Sequence, residues 1–259
     1  MEAIRIGCVP YLNAKPLVAW LHSKACEADV NLAYEVPSLL ADGLRDGRLD
    51  VALLSTFELF RSPSLSLVPG VSVSADGPVK SVRLFSRVPF EQIKSVALDT
   101  SSLTSTALIR ILLNELHGIY PVYIRHSPDL QAMLSRCDAA LLIGDLKLFD
   151  TPARYIMDLG EAWKSLTGMP FVYAAWLARA ESGEVNDLLL NAREWGIRRL
   201  EPLAQEWSTR LDLPVDRVRD YFTNIMKYDL DEEKRAALRE FKNRCIIHGI
   251  LPKTDDNDV

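Results

Sequence analysis

Four cysteines and four histidines are all that this chain of 259 residues offers to thiol and imidazole chemistry, and their spacing disarms most of them. Cys8, Cys26, Cys137 and Cys245 lie far apart and form no C-x-x-C or C-x-x-H pair. That argues against a cysteine-bound metal and reads them as small hydrophobes. His22, His117, His126 and His248 each stand alone, without a serine or cysteine in a nucleophile turn. There is no glycine-rich phosphate loop, which speaks against nucleoside triphosphates. Basic residues are scattered singly, and 30 Lys and Arg against 35 Asp and Glu leave a net charge of −5, so no face for nucleic acid is built. No run approaches the roughly 18 apolar residues of a membrane span. The start carries neither a basic segment nor a continuous apolar one, so a cytoplasmic protein is the expectation, without membrane attachment, metal or cofactor.

What is present is apolar sequence in short, regularly interrupted runs. Hydrophobic residues make up 48% of the chain, enough for real cores at a length that suits two domains. Ile4 to Val9 reads as a buried strand that Pro10 ends, because proline cannot donate a ladder hydrogen bond. Pro16 suits the first turn of a helix carrying Leu17, Val18, Trp20 and Leu21. Strands at 32–36 and 51–54 and a helix around Leu39, Leu40 and Leu44 complete a β-α-β-α-β start, the pattern of a mainly parallel sheet. A second such pattern runs from Ser95 to Ile143. The apolar run 171–177 returns the chain to the first domain. The spacing therefore predicts an α/β protein of two lobes, 1–88 with 175–259 and 89–174, joined by two hinge crossings near Arg87 and Trp176. The remainder is predicted helical: 184–195, 201–211, 215–224 and, capped by 228–231, a last helix to His248.

Polar residues collect where strands stop, the usual ligand-binding edge of an open α/β sheet. Tyr11, Asn13 and Lys15 follow the first strand; Ser55 and Thr56, with Glu58, follow the third and fit a helix cap equally well. Thr100, Ser101, Ser102, Thr104 and Ser105 crowd a helix N-terminus, more hydroxyls than capping needs, and point to carboxylate binding. Gly144 and Asp145 close the last strand of the second pattern, and Ser81 lies in an extended run.

The run Val9 to Leu17, V-P-Y-L-N-A-K-P-L, resembles the start of the chorismate dehydratases, which open the futalosine route to menaquinone. The likeness continues through D-V-A-L-L-S at 50–55, V-K-S-V at 79–82, L-T-S at 103–105, Gly144 with Asp145, D-L-G-E-A-W at 158–163 and T-G-M-P-F-V at 167–172. It implies the two-lobed type II fold of periplasmic solute-binding proteins, used as a lyase that removes water from chorismate in the cleft between lobes. It further implies Asn13 and Ser81 as the catalytic pair. Tyr11, Ser55, Thr56, Ser102, Thr104, Ser105, Gly144, Asp145, Gly168 and Pro170 become substrate contacts. Thr56 stands where the family usually has proline and Leu103 where it often has arginine, which leaves Lys15 or Arg125 to neutralise the ligand carboxylate; Lys15 is otherwise expected to point to solvent. Two other readings share this fold: the sibling dihydroxynaphthoate synthase, whose opening loop resembles S-P-D-P-D, and a non-catalytic binding protein for a small carboxylate.

Overall fold

The computed structural model describes residues 3–99, 103–144, 146–180 and 182–253. Ser102 and Asp145, named above as contacts, lie outside the described residues, as do Thr100 and Ser101. The strands are β1 (Ile4–Cys8), β2 (Val30–Tyr34), β3 (Val51–Ser55), β4 (Ser66–Ala75), β5 (Val82–Ser86), β6 (Ser95–Asp99), β7 (Val122–His126), β8 (Ala139–Ile143), β9 (Tyr155–Asp158), β10 (Phe171–Ala178) and β11 (Met226–Leu230). Around them run α1 (Lys15–Val18), α2 (Pro37–Arg45), α3 (Thr56–Arg61), α4 (Leu103–His117), α5 (Leu130–Arg136), α6 (Leu159–Thr167), α7 (Gly183–Ile197), α8 (Leu200–Leu211), α9 (Val215–Asp220) and α10 (Glu232–Ile247).

The chain divides into two compact units, Met1–Ser74 with Val172–Glu232, and Ala75–Phe171 with Glu233–Val259. It passes between them after Ser74, Phe171 and Glu232. The third passage was not among the expected crossings, and it carries α10 into the second unit. Phe241 of α10 packs there with ring centroids 6.0 Å from Trp163 and 5.0 Å from Phe171, all three essentially inaccessible. Burial of three aromatic rings in edge-on contact supplies both area and favourable ring geometry.

In the first unit the strand order is β11-β4-β10-β3-β1-β2. β1 runs parallel to β2 and β3, whereas β10 is antiparallel to β3, so the sheet is mixed. Central strands are apolar throughout because both faces are covered: Val51 to Leu54 have no exposed surface. The second sheet, β7-β6-β8-β5-β9, is mixed in the same way: β6 is parallel to β7 and β8, and β5 antiparallel to β8 and β9. Its core gathers Phe85, Ala97, Met133, Cys137, Ala140 and Leu142.

Two segments differ from the sequence reading. Residues 226–230, expected as the link after the helix 215–224 and the cap of the last helix, form β11 after a single π turn at Tyr221–Ile225. The Ser72 and Ser74 hydroxyls donate to the carbonyls of Asp229 (2.5 Å) and Lys227 (3.3 Å), tying β11 to β4. Tyr155–Asp158, assigned to no element from the sequence, is β9 on the edge beside β5.

Candidate functional site

Register places the polar stops of each unit on one edge of its own sheet. In the first, Gly7 lies opposite Ala52 in parallel strands, so the loops after Cys8 and Ser55 leave from the same edge. β10 is antiparallel with Ala174 opposite Ser55, so its start comes to that edge as well. In the second, Leu98 pairs with Leu141 in parallel and Val82 with Ile143 antiparallel. The end of β6, the end of β8 and the start of β5 therefore share an edge.

At the first edge, Pro10 ends β1 and Leu12–Ala14 form a 3₁₀ turn that leads directly into α1. Tyr11 and Asn13 are half-buried there. Tyr11 is engaged, its carbonyl accepting from the Ala14 N–H at 3.2 Å. The Asn13 side chain has no hydrogen bond among the described residues, which leaves an amide with two donors and an acceptor available. Ser55 and Thr56 serve the fold: the Ser55 hydroxyl accepts from the Phe57 N–H at 3.3 Å as the cap of α3, and Thr56 Oγ1 donates to the Val172 carbonyl at 2.9 Å. Removing that cap with Ser55→Ala is expected to lower stability by about 1 kcal/mol, read from chemical denaturation. Glu58, only 4% exposed, lies 3.6 Å from Arg45 and 3.5 Å from Arg61.

Lys15 is not where it was expected. Its side chain is buried, not turned to solvent, with Nζ 4.4 Å from the Tyr34 ring centroid and 4.9 Å from that of Trp207. Arg125, the other cation considered for a ligand carboxylate, stands exposed on β7 at the border of the second sheet. Cys8 is fully buried, and burial pushes its thiol up to about 12, so it is no nucleophile.

At the second edge the decisive residue is one that the sequence reading did not single out. Asp158 ends β9, is 8% exposed, and its carboxylate accepts from four backbone N–H groups. Gly160 (3.0 Å) and Glu161 (3.2 Å) make it the cap of α6; Val79 (2.9 Å) and Lys80 (2.6 Å) belong to the turn before β5. Lys80 has φ of 60°, a conformation that costs a side-chain-bearing residue roughly 1 kcal/mol or more, so the two amides are held in a strained turn by one carboxylate. Ser81 follows at once, 1% exposed, its N–H donating to Val79 O (2.7 Å) and its carbonyl accepting from Gly144 N (2.8 Å). Its position is set from three sides. An acid just before an apolar helical run, D-L-G-x-x-W, was the available signal, but it announces only the cap.

Thr104 and Ser105 lie in the first turn of α4, both buried and both engaged. Gly144 turns the chain out of β8 with φ of 82°, which a side chain would resist. Gly168 is the left-handed C-cap of α6, its N–H donating to Lys164 O at 2.8 Å, and the Pro170 carbonyl accepts from Trp163 Nε1 at 3.0 Å. Those are roles the T-G-M-P stretch fills with or without a ligand.

Each histidine is committed elsewhere. His22 meets Tyr34 Oη at 3.0 Å, His117 the Glu91 carboxylate at 3.2 Å, His126 the Ser127 carbonyl at 2.7 Å and His248 the Glu115 carboxylate at 2.8 Å. Among the described residues no group of three His, Cys, Asp or Glu gathers to hold a metal ion, and no helix is long and apolar enough to cross a membrane.

A sequence profile of the family described as "Menaquinone biosynthesis" matches residues 4–246, nearly the whole chain and both polar edges. The chain belongs to this menaquinone biosynthesis family. Among its relatives, the chorismate dehydratase of Thermus thermophilus is 33% identical over 263 residues, covering 93% of this chain and 94% of its own. That of Campylobacter jejuni is 27% identical, covering 92% and 96%. In three dimensions this family member is similar to a crystal structure of an Archaeoglobus fulgidus protein (TM-score 0.74, 18% identity, 96% of this chain and 98% of that one). It is also similar to the periplasmic aliphatic sulphonate binding protein of Escherichia coli (0.67, 16%, 98% and 94%). These likenesses establish the fold alone: the periplasmic-binding-protein type II fold, with two mixed sheets flanked by helices.

Proposed function

We propose that this menaquinone biosynthesis family member is a hydro-lyase that converts chorismate and no other reactant to 3-[(1-carboxyvinyl)oxy]benzoate and water. The observation that carries the reading is the half-buried Asn13 amide, without a partner among the described residues at the end of β1, in a chain one-third identical to a chorismate dehydratase. In the reaction the ring C3–H bond breaks and its electron pair becomes the new C3=C4 bond. The C4 hydroxyl leaves with a proton as water, and the ring becomes aromatic. C3–H is acidified through the adjacent double bond and its carboxylate, so orientation and charge stabilisation do most of what is needed.

Thr104 and Ser105, with Ser102 and the N–H groups that open α4, hold the ring carboxylate and the charge that grows on it in an enolate-like transition state. Asn13 and Ser81 hold the second carboxylate or the departing hydroxyl. The base is the substrate's own enolpyruvyl carboxylate, a reading supported by the engagement of all four histidines in other contacts. With chorismate added, ultraviolet absorbance should report an aromatic product. Asn13→Ala should lower turnover about 100-fold, the usual loss for one transition-state hydrogen-bond donor, while His126→Ala changes it by less than about twofold. No aromatic product from the unaltered protein, or the opposite ranking of the two variants, would sink the reading. Tight binding of chorismate without turnover would favour a binding protein instead.

A further inference from the structure

Lys15 opens onto a cavity of about 440 Å³ in the first unit, formed by α1, the end of β2 and α8. None of Tyr11, Asn13, Ser55 and Thr56 lines it. The volume falls within the range of small-molecule sites. Val18, Ala19 and Leu203 give it an apolar wall, and the Tyr34 and Trp207 rings bracket the ammonium.

The charge in this cavity is not balanced. Lys15 is 7% exposed, yet Nζ has neither a hydrogen bond nor an ion pair among the described residues, and the Tyr34 and Trp207 ring faces stand over it. Ring faces attract a cation by roughly 0.5–2 kcal/mol but fill none of the three ammonium donors, which leaves Nζ open to an acceptor entering the cavity. Burial accordingly pulls the Lys15 ammonium below the usual lysine range, with the Cys8 thiol opposing this and Arg210 adding to it. The one carboxylate lining the cavity, Glu206, is already spent on Arg210 at 2.8 Å. Arg210 stacks on Trp207, its guanidinium carbon 5.0 Å from the ring centroid. His22, whose Nε2 is held by Tyr34, completes a lining that favours negative charge and repels metal cations.

We propose that this cavity is a second ligand site, selective for a small organic monocarboxylate with an apolar or aromatic body. The carboxylate pairs with Lys15 Nζ, and the body lies against Trp207 and Leu203. It is independent of the proposed dehydratase reading, whose chorismate groups are Asn13, Ser81, Thr104 and Ser105 with Ser102, because with Lys15 set in this cavity the two share no residue.

The probe is benzoate, and the readout is Trp207 fluorescence, isolated as the difference between the unaltered protein and Trp207→Phe. Benzoate should change that component saturably, and Lys15→Met should weaken the response at least about tenfold. Lys15→Arg should restore most of it. Asn13→Ala should leave the midpoint within about twofold. Lys15→Met keeps the side chain's length and removes a buried charge, so its melting temperature should not fall; the comparison is then between folded proteins. A Trp207 component that ignores benzoate, or an unchanged midpoint in Lys15→Met, overturns the site. Loss of the response in Asn13→Ala overturns its independence.

Discussion

Asp158→Ala is expected to lower stability by roughly 2–6 kcal/mol and to abolish the proposed turnover of chorismate. The loss combines a helix cap, worth about 1 kcal/mol, with the buried Val79 and half-buried Lys80 N–H groups, each costing about 1–3 kcal/mol when left without an acceptor. Relief of the left-handed Lys80 backbone returns only about 1 kcal/mol, so it does not reverse the sign. Asp158→Asn separates fold from site. An amide oxygen in the Oδ1 position still accepts from Val79, Gly160 and Glu161, but its NH₂ then faces the Lys80 N–H, which Oδ2 accepts now. The asparagine variant should therefore melt closer to the unaltered protein and still lose most of its turnover, because Ser81 moves with Lys80. Hydrogen exchange should accelerate at the amides of both 79 and 80 in Asp158→Ala, but at 80 alone in Asp158→Asn. Unchanged exchange and full turnover in Asp158→Asn would show that the Lys80 bond does not position Ser81.

Gly196→Ala should lower the melting temperature by about 4–8 °C, although alanine is the better helix former by about 1 kcal/mol. Gly196 is buried near the end of α7, where that helix crosses α1. A Cβ there would overlap the Pro16 carbonyl oxygen and lie 2.7 Å from the Pro16 carbonyl carbon. Neither is a flexible side chain that could swing away. Overpacking of this kind costs about 3 kcal/mol or more, which outweighs the gain in propensity. Because Pro16 is three residues from Asn13, pushing α7 away should also disturb the opening turn. Differential scanning calorimetry would detect the shift, and a melting temperature at or above that of the unaltered protein would refute it.

Local patterns revealed much of this in advance. Pro10 marked the end of β1, the continuous apolar runs marked the central strands, and Ser55 was readable as a cap because the bond it makes is two residues away. What stayed hidden depends on partners distant in sequence. β11 follows a helical stretch and exists as a strand because β4 receives it, through a bond spanning 157 positions. Lys15 is charged and follows a loop, which suggests water, but Trp207 comes from α8 to cover it. The reach of Asp158 to residues 79 and 80 leaves no trace in the spacing of either segment. The opening Y-L-N motif directed attention to Asn13, and the structure adds why that residue differs from its hydroxyl-bearing companions: its side chain has no partner among the described residues, whereas Ser55, Thr56, Ser81, Thr104 and Ser105 are all engaged.

The placement of α10 in the second unit has a consequence for the order of events during synthesis. Ribosomes release the chain from its N-terminus at about 5–20 residues per second, so Trp163 and Phe171 emerge some 70 residues before the Phe241 ring that covers them. For several seconds the second unit must wait with two large aromatic rings uncovered, and β4 of the first sheet waits some 150 residues for β11, its edge partner. The nascent protein is thus most vulnerable to aggregation late in translation, and slowing codons placed just before residue 232 should reduce its soluble yield more than the same codons placed near residue 90.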